Sequence, residues 1–188
     1  MSSPARSRTR LTYDDFLLFP DDGKRHELIG GEHYVTASPN VRHQRILGRL
    51  YLAIGTFLGP HPEMGQVFLS PLDVVLSRWD VVEPDLLFVA GDQDPILTAA
   101  NVQGAPALVV EISSPSTRKR DLHLKRALFE RTGVREYWIV DPDKDAVVVH
   151  RRTDQGQFEV LQLTRGSAEL LTTPLLPGLE IALTALFA

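Results

Sequence analysis

The sequence predicts a single α/β domain, and three observations carry that expectation. Between residues 41 and 58 the apolar side chains fall at Ile46, Leu47, Leu50, Ile54, Phe57 and Leu58, the spacing of one face of an amphipathic helix. Two short runs, Leu86-Leu87-Phe88-Val89 and Ala107-Leu108-Val109-Val110, are almost wholly apolar, as strands covered on both faces are. Two further strand-like segments, 24–29 and 32–36, flank Gly30-Gly31, a dipeptide that tolerates the positive φ of a tight hairpin turn.

The remaining elements follow in order. Residues 11–19 read as a short helix with Thr12 as N-cap. The helix at 41–58 is stopped by Gly59-Pro60. A long strand is expected over 66–76, then the strand that follows Pro84-Asp85, an acidic loop over 92–101, and the strand that ends at Glu111. Ser114-Pro115-Ser116-Thr117 offers capping hydroxyls to a helix over 121–131, which Gly133 closes. Strands at 136–140, 146–151, 157–163 and 168–172 make a β-rich C-terminal portion. Tyr137-Trp138, flanked by Ile139 and Val140, reads as core rather than as a base-stacking pair. The apolar segment 183–187 is expected to pack as a helical turn on the sheet or on a second subunit. There is no internal repeat, low-complexity stretch or linker.

Composition agrees with one ordinary domain. The chain has 188 residues, 43% of them hydrophobic, enough to bury a substantial core. It contains no cysteine, which excludes disulfides, thiolate metal sites and cysteine nucleophiles and fits a reducing cytoplasm. No apolar run approaches the length of a membrane span. Residues 1–10, with Arg6, Arg8 and Arg10, read as a disordered basic tail, and 11–188 as the domain. The formal net charge of −4 gives no global attraction to phosphate, so a nucleic-acid partner would need a local basic patch. Candidates are Arg118, Lys119 and Arg120 with Lys125 and Arg126, the tail arginines, Lys24-Arg25, and Arg42 with Arg45. Each cluster is equally readable as a solvated surface.

The chemistry rests on two acids and a lysine. An ionised glutamate at the end of a Val/Leu strand is costly unless a cation or a full set of hydrogen bonds satisfies it. If the strands beginning at Asp85 and ending at Glu111 run antiparallel, the two carboxylates converge on one end of the sheet. Converging hard oxygens suit Mg²⁺ or Mn²⁺, which polarises a phosphodiester and activates water, while an ammonium offsets the developing charge. The bland alternative has Asp85 capping a turn and Glu111 paired with an arginine. On an α-helix Lys125 stands three residues from Leu122 and Leu128 and four from Asp121 and Phe129, bordering the buried face. Its ammonium either reaches the end of the Glu111 strand or forms a surface pair with Asp121. Other chemistries lack their motifs: there is no phosphate-cradling glycine loop, no histidine pair at metal-ligand spacing and no Gly-x-Ser-x-Gly frame.

The ordered set Leu11-Thr12-Tyr13-Asp14-Asp15-Phe16, His26-Glu27-Leu28-Ile29-Gly30-Gly31, His43, Pro84-Asp85, Val110-Glu111-Ile112-Ser113-Ser114-Pro115-Ser116, Lys125 and Gly133 through Pro142 resembles the Uma-type restriction-endonuclease family, a branch of the PD-(D/E)xK nuclease superfamily. The resemblance covers most of the chain. It implies a restriction-endonuclease-like fold, a mixed central sheet flanked by helices, and a divalent-metal-dependent endonuclease acting on DNA. It implies that Asp85, Glu111 and the Ile112 backbone carbonyl hold Mg²⁺ or Mn²⁺, and that Lys125 positions water or stabilises the transition state. Glu27 is implied as an assisting acid, with a solvent-facing hairpin charge as its alternative. His43 is implied to look into the cleft, with a packed or capping histidine as its alternative. Asp73 is a weaker candidate for the metal shell. The superfamily's usual lysine two residues after the glutamate is replaced here by Ser113, and Lys125 matches the family's helical lysine. Arg118, Lys119, Arg120 and Arg126 are the candidate DNA contacts, and a homodimer is expected by analogy. Two rivals stand beside this reading: a binding module that keeps the fold without turnover, and a small-phosphoester hydrolase using the acidic loop around Asp92 and Asp94.

Overall fold

A computed structural model describes residues 10–167 and 169–188, so the basic-tail expectation for 1–9 lies outside the described residues. The chain opens with one helical turn, α1 (Tyr13–Phe16), capped by Thr12 and Asp15 in a reciprocal box and shorter than expected. The hairpin β1 (Arg25–Ile29) and β2 (Glu32–Thr36) follows, with Gly30 and Gly31 both at positive φ, as its two-residue turn requires. Helix α2 (Val41–Leu58) has the expected bounds and is capped by the side chain of Asn40.

The long strand expected over 66–76 is two strands in two sheets. β3 (Gly65–Leu69) ends before Pro71, and β4 (Val74–Ser77) starts beyond it. Proline has no N–H for the ladder, and here the chain uses it to change sheets. Next come β5 (Asp80–Val82), β6 (Leu86–Ala90), a 3₁₀ turn at Gly91–Ile96, β7 (Val102–Gln103) and β8 (Leu108–Ile112). The helix expected over 121–131 begins as a π-helical segment, Arg120–Lys125, and continues as α3 (Arg126–Thr132), closed by Gly133 in the left-handed region. The chain finishes with β9 (Glu136–Asp141), β10 (Ala146–Arg152), β11 (Phe158–Thr164), β12 (Leu170–Thr172), β13 (Glu180–Ala182) and α4 (Leu183–Leu186).

The main sheet is mixed, in the order β11-β10-β9-β8-β6-β3, with β8 and β9 parallel across the π/α3 connection and the other neighbours antiparallel. A smaller sheet, β2-β1-β5-β4-β7, carries the N-terminal hairpin. Alternate residues of the buried strands feed two cores, as the strand period of two requires. Leu86, Phe88, Leu108, Val110 and Trp138 pack with Ile46, Leu50 and Ile54 of α2. Leu87, Val89, Val109, Tyr137 and Ile139 pack with Leu128 and Phe129 of α3 and with Val74 and Val82 of the smaller sheet. Tyr137 and Trp138 are fully buried, as core residues should be. Leu183, Leu186 and Phe187 join the α2 core, so the apolar C-terminal segment folds back onto its own chain. Among the described residues no helix is long and apolar enough to cross a membrane.

Candidate active site at one end of the central sheet

The antiparallel register of β6 and β8 pairs Leu87 with Val109 and Leu86 with Val110, so the next rung sets Asp85 opposite Glu111. Sequence supplied the residues; the register makes them neighbours. The backbone N–H of Ile112 donates to Asp85 Oδ2 at 2.8 Å, fixing the carboxylate against the end of β8. His43 reaches the same oxygen from the first turn of α2, Nε2 to Oδ2 3.0 Å. Asn40 sets that approach, because its side chain accepts the His43 N–H and starts the helix there. The other oxygen, Oδ1, lies 2.7 Å from the Arg25 guanidinium.

Lys125 departs most from its bland alternative. It is 1% exposed, with Nζ 2.6 Å from Glu111 Oε1 and 2.7 Å from Glu27 Oε1. A surface pair with Asp121 is therefore ruled out, and so is the α-helical arithmetic used to place the lysine. The π-helical segment has a different angular period from an α-helix, and it delivers Lys125 inward rather than to the border of the buried face. Glu27 is not a solvent-facing hairpin charge either. It is 1% exposed and also accepts the N–H of Glu83 at 3.1 Å. Its Oε2 has no hydrogen bond, and the Arg120 guanidinium stands 3.4 Å away.

This packing of charge separates the titrations. Asp85 is penalised by burial, but the His43 contact, the Arg25 charge and the Ile112 N–H prevail and hold its pKa at about 2. Glu111 goes the other way: burial pushes it well above the usual carboxylate range, the Asp85, Asp121 and Glu27 charges add to that, and Lys125 opposes them. For Lys125, burial favours the neutral amine, but Glu111, Glu27 and Asp121 outweigh it and keep the group an ammonium above its ordinary range. The surrounding carboxylates thus favour the ammonium form of Lys125. Burial, with the charges of Asp73 and Glu27, raises Glu83 to about 7.

Asp85, Glu111, Lys125, Glu27 and His43 all line one cavity of about 160 Å³, together with Arg120. Ile112 borders it too, with its N–H committed to Asp85. A second cavity of about 440 Å³ adjoins the first and shares Arg25, His43, Glu83 and Asp85 with it. Ser113, two residues after Glu111, is buried with its Oγ lacking a hydrogen-bond partner. Asp73 does not line the cavity, and its charge helps to raise Glu83.

The donor set suits a hard divalent cation in kind. Asp85 and Glu111 are adjacent carboxylates, Glu111 is held at a proton affinity that a nearby cation would relieve, and Glu27 keeps a buried oxygen without a hydrogen bond. It is not a closed cage: among the described residues no group of three or more His, Asp or Glu side chains could hold a metal by itself. That matches Mg²⁺, which commonly takes one or two protein carboxylates and completes its shell with water and phosphate oxygens.

The basic candidates divide. Arg120 turns inward, donating to Thr36 Oγ1 and standing 5.7 Å over the Tyr34 ring. Arg118 is held by Asp141 and Asp143, and Arg126 by Glu130 one turn on, while Lys119 is exposed. The acidic loop supports no second site near the carboxylates. Asp92 follows the far end of β6 and pairs with Arg135 at the start of β9, the opposite edge of the sheet from Asp85 and Glu111. Sequence reading missed Glu83, and it counted Arg25 as part of a candidate basic patch for nucleic acid rather than as a partner of Asp85. Arg25 stands two residues before Glu27, the interval that shares one face of a strand, and that spacing was its signal.

Comparison with known proteins bears on the fold and the family. A crystal structure of a putative nuclease belonging to DUF820 from Anabaena variabilis superposes with a TM-score of 0.80 over 94% of this chain and 97% of that one, at 22% identity. At that identity the likeness is one of fold. Among curated proteins none matches the chain. The Uma2 family, described as "Putative restriction endonuclease", matches residues 13–184, nearly the whole described chain. The nuclease-like fold and the match over this length agree, and the protein belongs to the Uma2 family.

Proposed function

We propose that the protein is a divalent-metal-dependent endonuclease that hydrolyses phosphodiester bonds of DNA. The observation that carries the reading is the buried ammonium of Lys125 between Glu111 and Glu27, one strand away from Asp85. A lysine, two strand-end carboxylates and an assisting acid gathered in one cavity are what metal-assisted phosphoryl chemistry needs and what a purely structural ion pair does not. Asp85 and Glu111 would hold Mg²⁺ or Mn²⁺, with the Ile112 carbonyl as a further ligand. The ion would polarise the phosphate and supply an acidified water. Lys125, held cationic, offsets charge that develops on the phosphate oxygens. Glu27 fixes Lys125 from the side away from Glu111. His43 holds Asp85 in place and borders the cleft. Exposed Lys119 and the partly exposed Arg118 and Arg126 would meet the DNA backbone, while Arg120 serves the site from within.

The test is Mn²⁺ calorimetry on the wild type, Asp85→Ala and Glu111→Ala, followed by nicking of supercoiled plasmid. Binding and nicking should both be lost in the variants. A folded wild type with no Mn²⁺ affinity would make the protein a binding module on a nuclease fold. Sedimentation of the same samples examines the homodimer we propose, whose contact we place on edge strand β11, where Val160 and Leu161 are exposed. A monomer at every concentration would remove it.

A further inference from the structure

The Asp85 carboxylate has unequal oxygens. Oδ2 already accepts from His43 Nε2 and from the Ile112 N–H, both set by backbone elements. Oδ1 is the oxygen open to a cation, and the Arg25 guanidinium stands on it at 2.7 Å. An ion that takes Oδ1 meets the Arg25 guanidinium already on it, and two cations on one carboxylate oxygen repel. Arg25 has somewhere to go. Unlike Lys125, which two carboxylates enclose, its side chain is 20% exposed and lines both cavities.

We propose that Arg25 is a displaceable counter-ion of Asp85, released when a divalent cation binds so that its guanidinium is free to hold a phosphate of the substrate strand in the adjoining cavity. The proposal rests on the metal-dependent reading above. The charge balance favours the exchange in this order. With Arg25 on Asp85, the cavity lining sets Arg25, Arg42, Arg120 and Lys125 against Glu27, Glu83, Asp85, Glu111 and Asp143. A divalent ion more than replaces one guanidinium, and an incoming phosphate then restores the negative charge that the guanidinium can pair with. The planar fork of arginine binds phosphate through two parallel hydrogen bonds, which a lysine cannot do. Metal and substrate would therefore bind cooperatively through one side chain.

Mn²⁺ calorimetry on wild type, Arg25→Gln and Arg120→Gln tests it. Arg120 lines the same cavity but contacts Glu27 and Thr36 rather than Asp85, so its loss measures the general effect of removing a charge. Arg25→Gln should bind Mn²⁺ at least about tenfold more tightly than Arg120→Gln does, about 1.4 kcal/mol. Equal tightening in the two variants overturns the displacement. The second arm is anisotropy of a labelled oligonucleotide in Ca²⁺ and in chelator, with strand integrity checked on a gel. The gain in affinity that Ca²⁺ gives the wild type should shrink several-fold in Arg25→Gln; an undiminished gain overturns the phosphate contact. Should Arg25→Gln fail to fold, Arg25→Met replaces it, since it keeps an unbranched stem without the charge. Mn²⁺ binding tighter than in Arg120→Gln supports the displacement, and equal binding overturns it. Wild type that binds Mn²⁺ with no change in the Arg25 variants removes this proposal alone, whereas no Mn²⁺ binding in any variant removes the metal-dependent reading with it.

Discussion

The two ends of the paired strands β6 and β8 carry the same kinds of group in opposite surroundings. At one end Asp85 and Glu111 are buried with Arg25, His43 and Lys125; at the other, Asp92 pairs with Arg135 at 2.6 Å in the open, their side chains 64% and 40% exposed. The distances are alike. What differs is solvent, and solvent decides what an ion pair does. The exposed pair gains little, because water screens it and two long side chains lose freedom in making it. At the buried end the carboxylates are largely withdrawn from bulk water, so each charge depends on its neighbours, and one carboxylate is driven down while the next is driven up. A site able to bind a cation needs that second condition.

Three substitutions sharpen the contrast. Lys125→Met keeps the volume and removes the ammonium between Glu111 and Glu27, leaving Arg120, 3.4 Å from Glu27, as the nearest remaining cation. Urea denaturation should show a loss of about 3–5 kcal/mol, the usual consequence of breaking a buried pair, and plasmid nicking should disappear. A loss below about 1 kcal/mol would mean that Lys125 is not the counter-ion of the buried acids.

The effect of Glu83→Gln is intermediate and depends on pH. The folded-state pKa of Glu83 is raised to about 7 from 4.5, so the folded protein binds the proton more tightly than the unfolded chain does. Stability from this group is then present below 4.5 and is lost as pH rises through 4.5 to about 7. Because the side chain is partly solvated, screening reduces the effect to about 1 kcal/mol. Glu83→Gln should be more stable than wild type at pH 8, with the gap closing at pH 5. Thermal melts at the two values read this directly, and a gap that is the same at both would show that Glu83 does not titrate in this window.

The smallest effect belongs to Arg135→Ala, which breaks the exposed pair. Its denaturation midpoint and its nicking activity should match the wild type, and a clear loss of either would show that the far end of the sheet is coupled to the carboxylates.

Helix α2 was readable with its bounds because one apolar stripe and Gly59-Pro60 point to the same element, to which the structure adds the Asn40 cap. The Gly30-Gly31 hairpin was readable for a similar local reason, since the turn needs positive φ at both positions. Asp85, Glu111, Lys125, Glu27 and His43 could be picked out as an ordered set from a family resemblance. Their burial could not: Glu27 and Lys125 each had an equally plausible surface reading, and the sequence offered no local signal against it. The break at Pro71 was visible as a proline, yet it was absorbed into one long strand, because Val67 through Leu76 is apolar enough to mask a change of sheet.

The sequence by itself determined helix α2, the hairpin and the nearly uninterrupted apolar strands, because these depend on spacing within a few residues, and a family resemblance pointed to the acids and the lysine. Only the tertiary structure decided which charges meet. The antiparallel register of β6 on β8 set Asp85 beside Glu111, and a π-helical segment turned Lys125 inward. The smaller sheet brought Arg25 and Glu27 across more than fifty residues of chain to the same cavity. Electrostatic energy depends on distance and on exclusion of water, and neither is a property of neighbours in sequence.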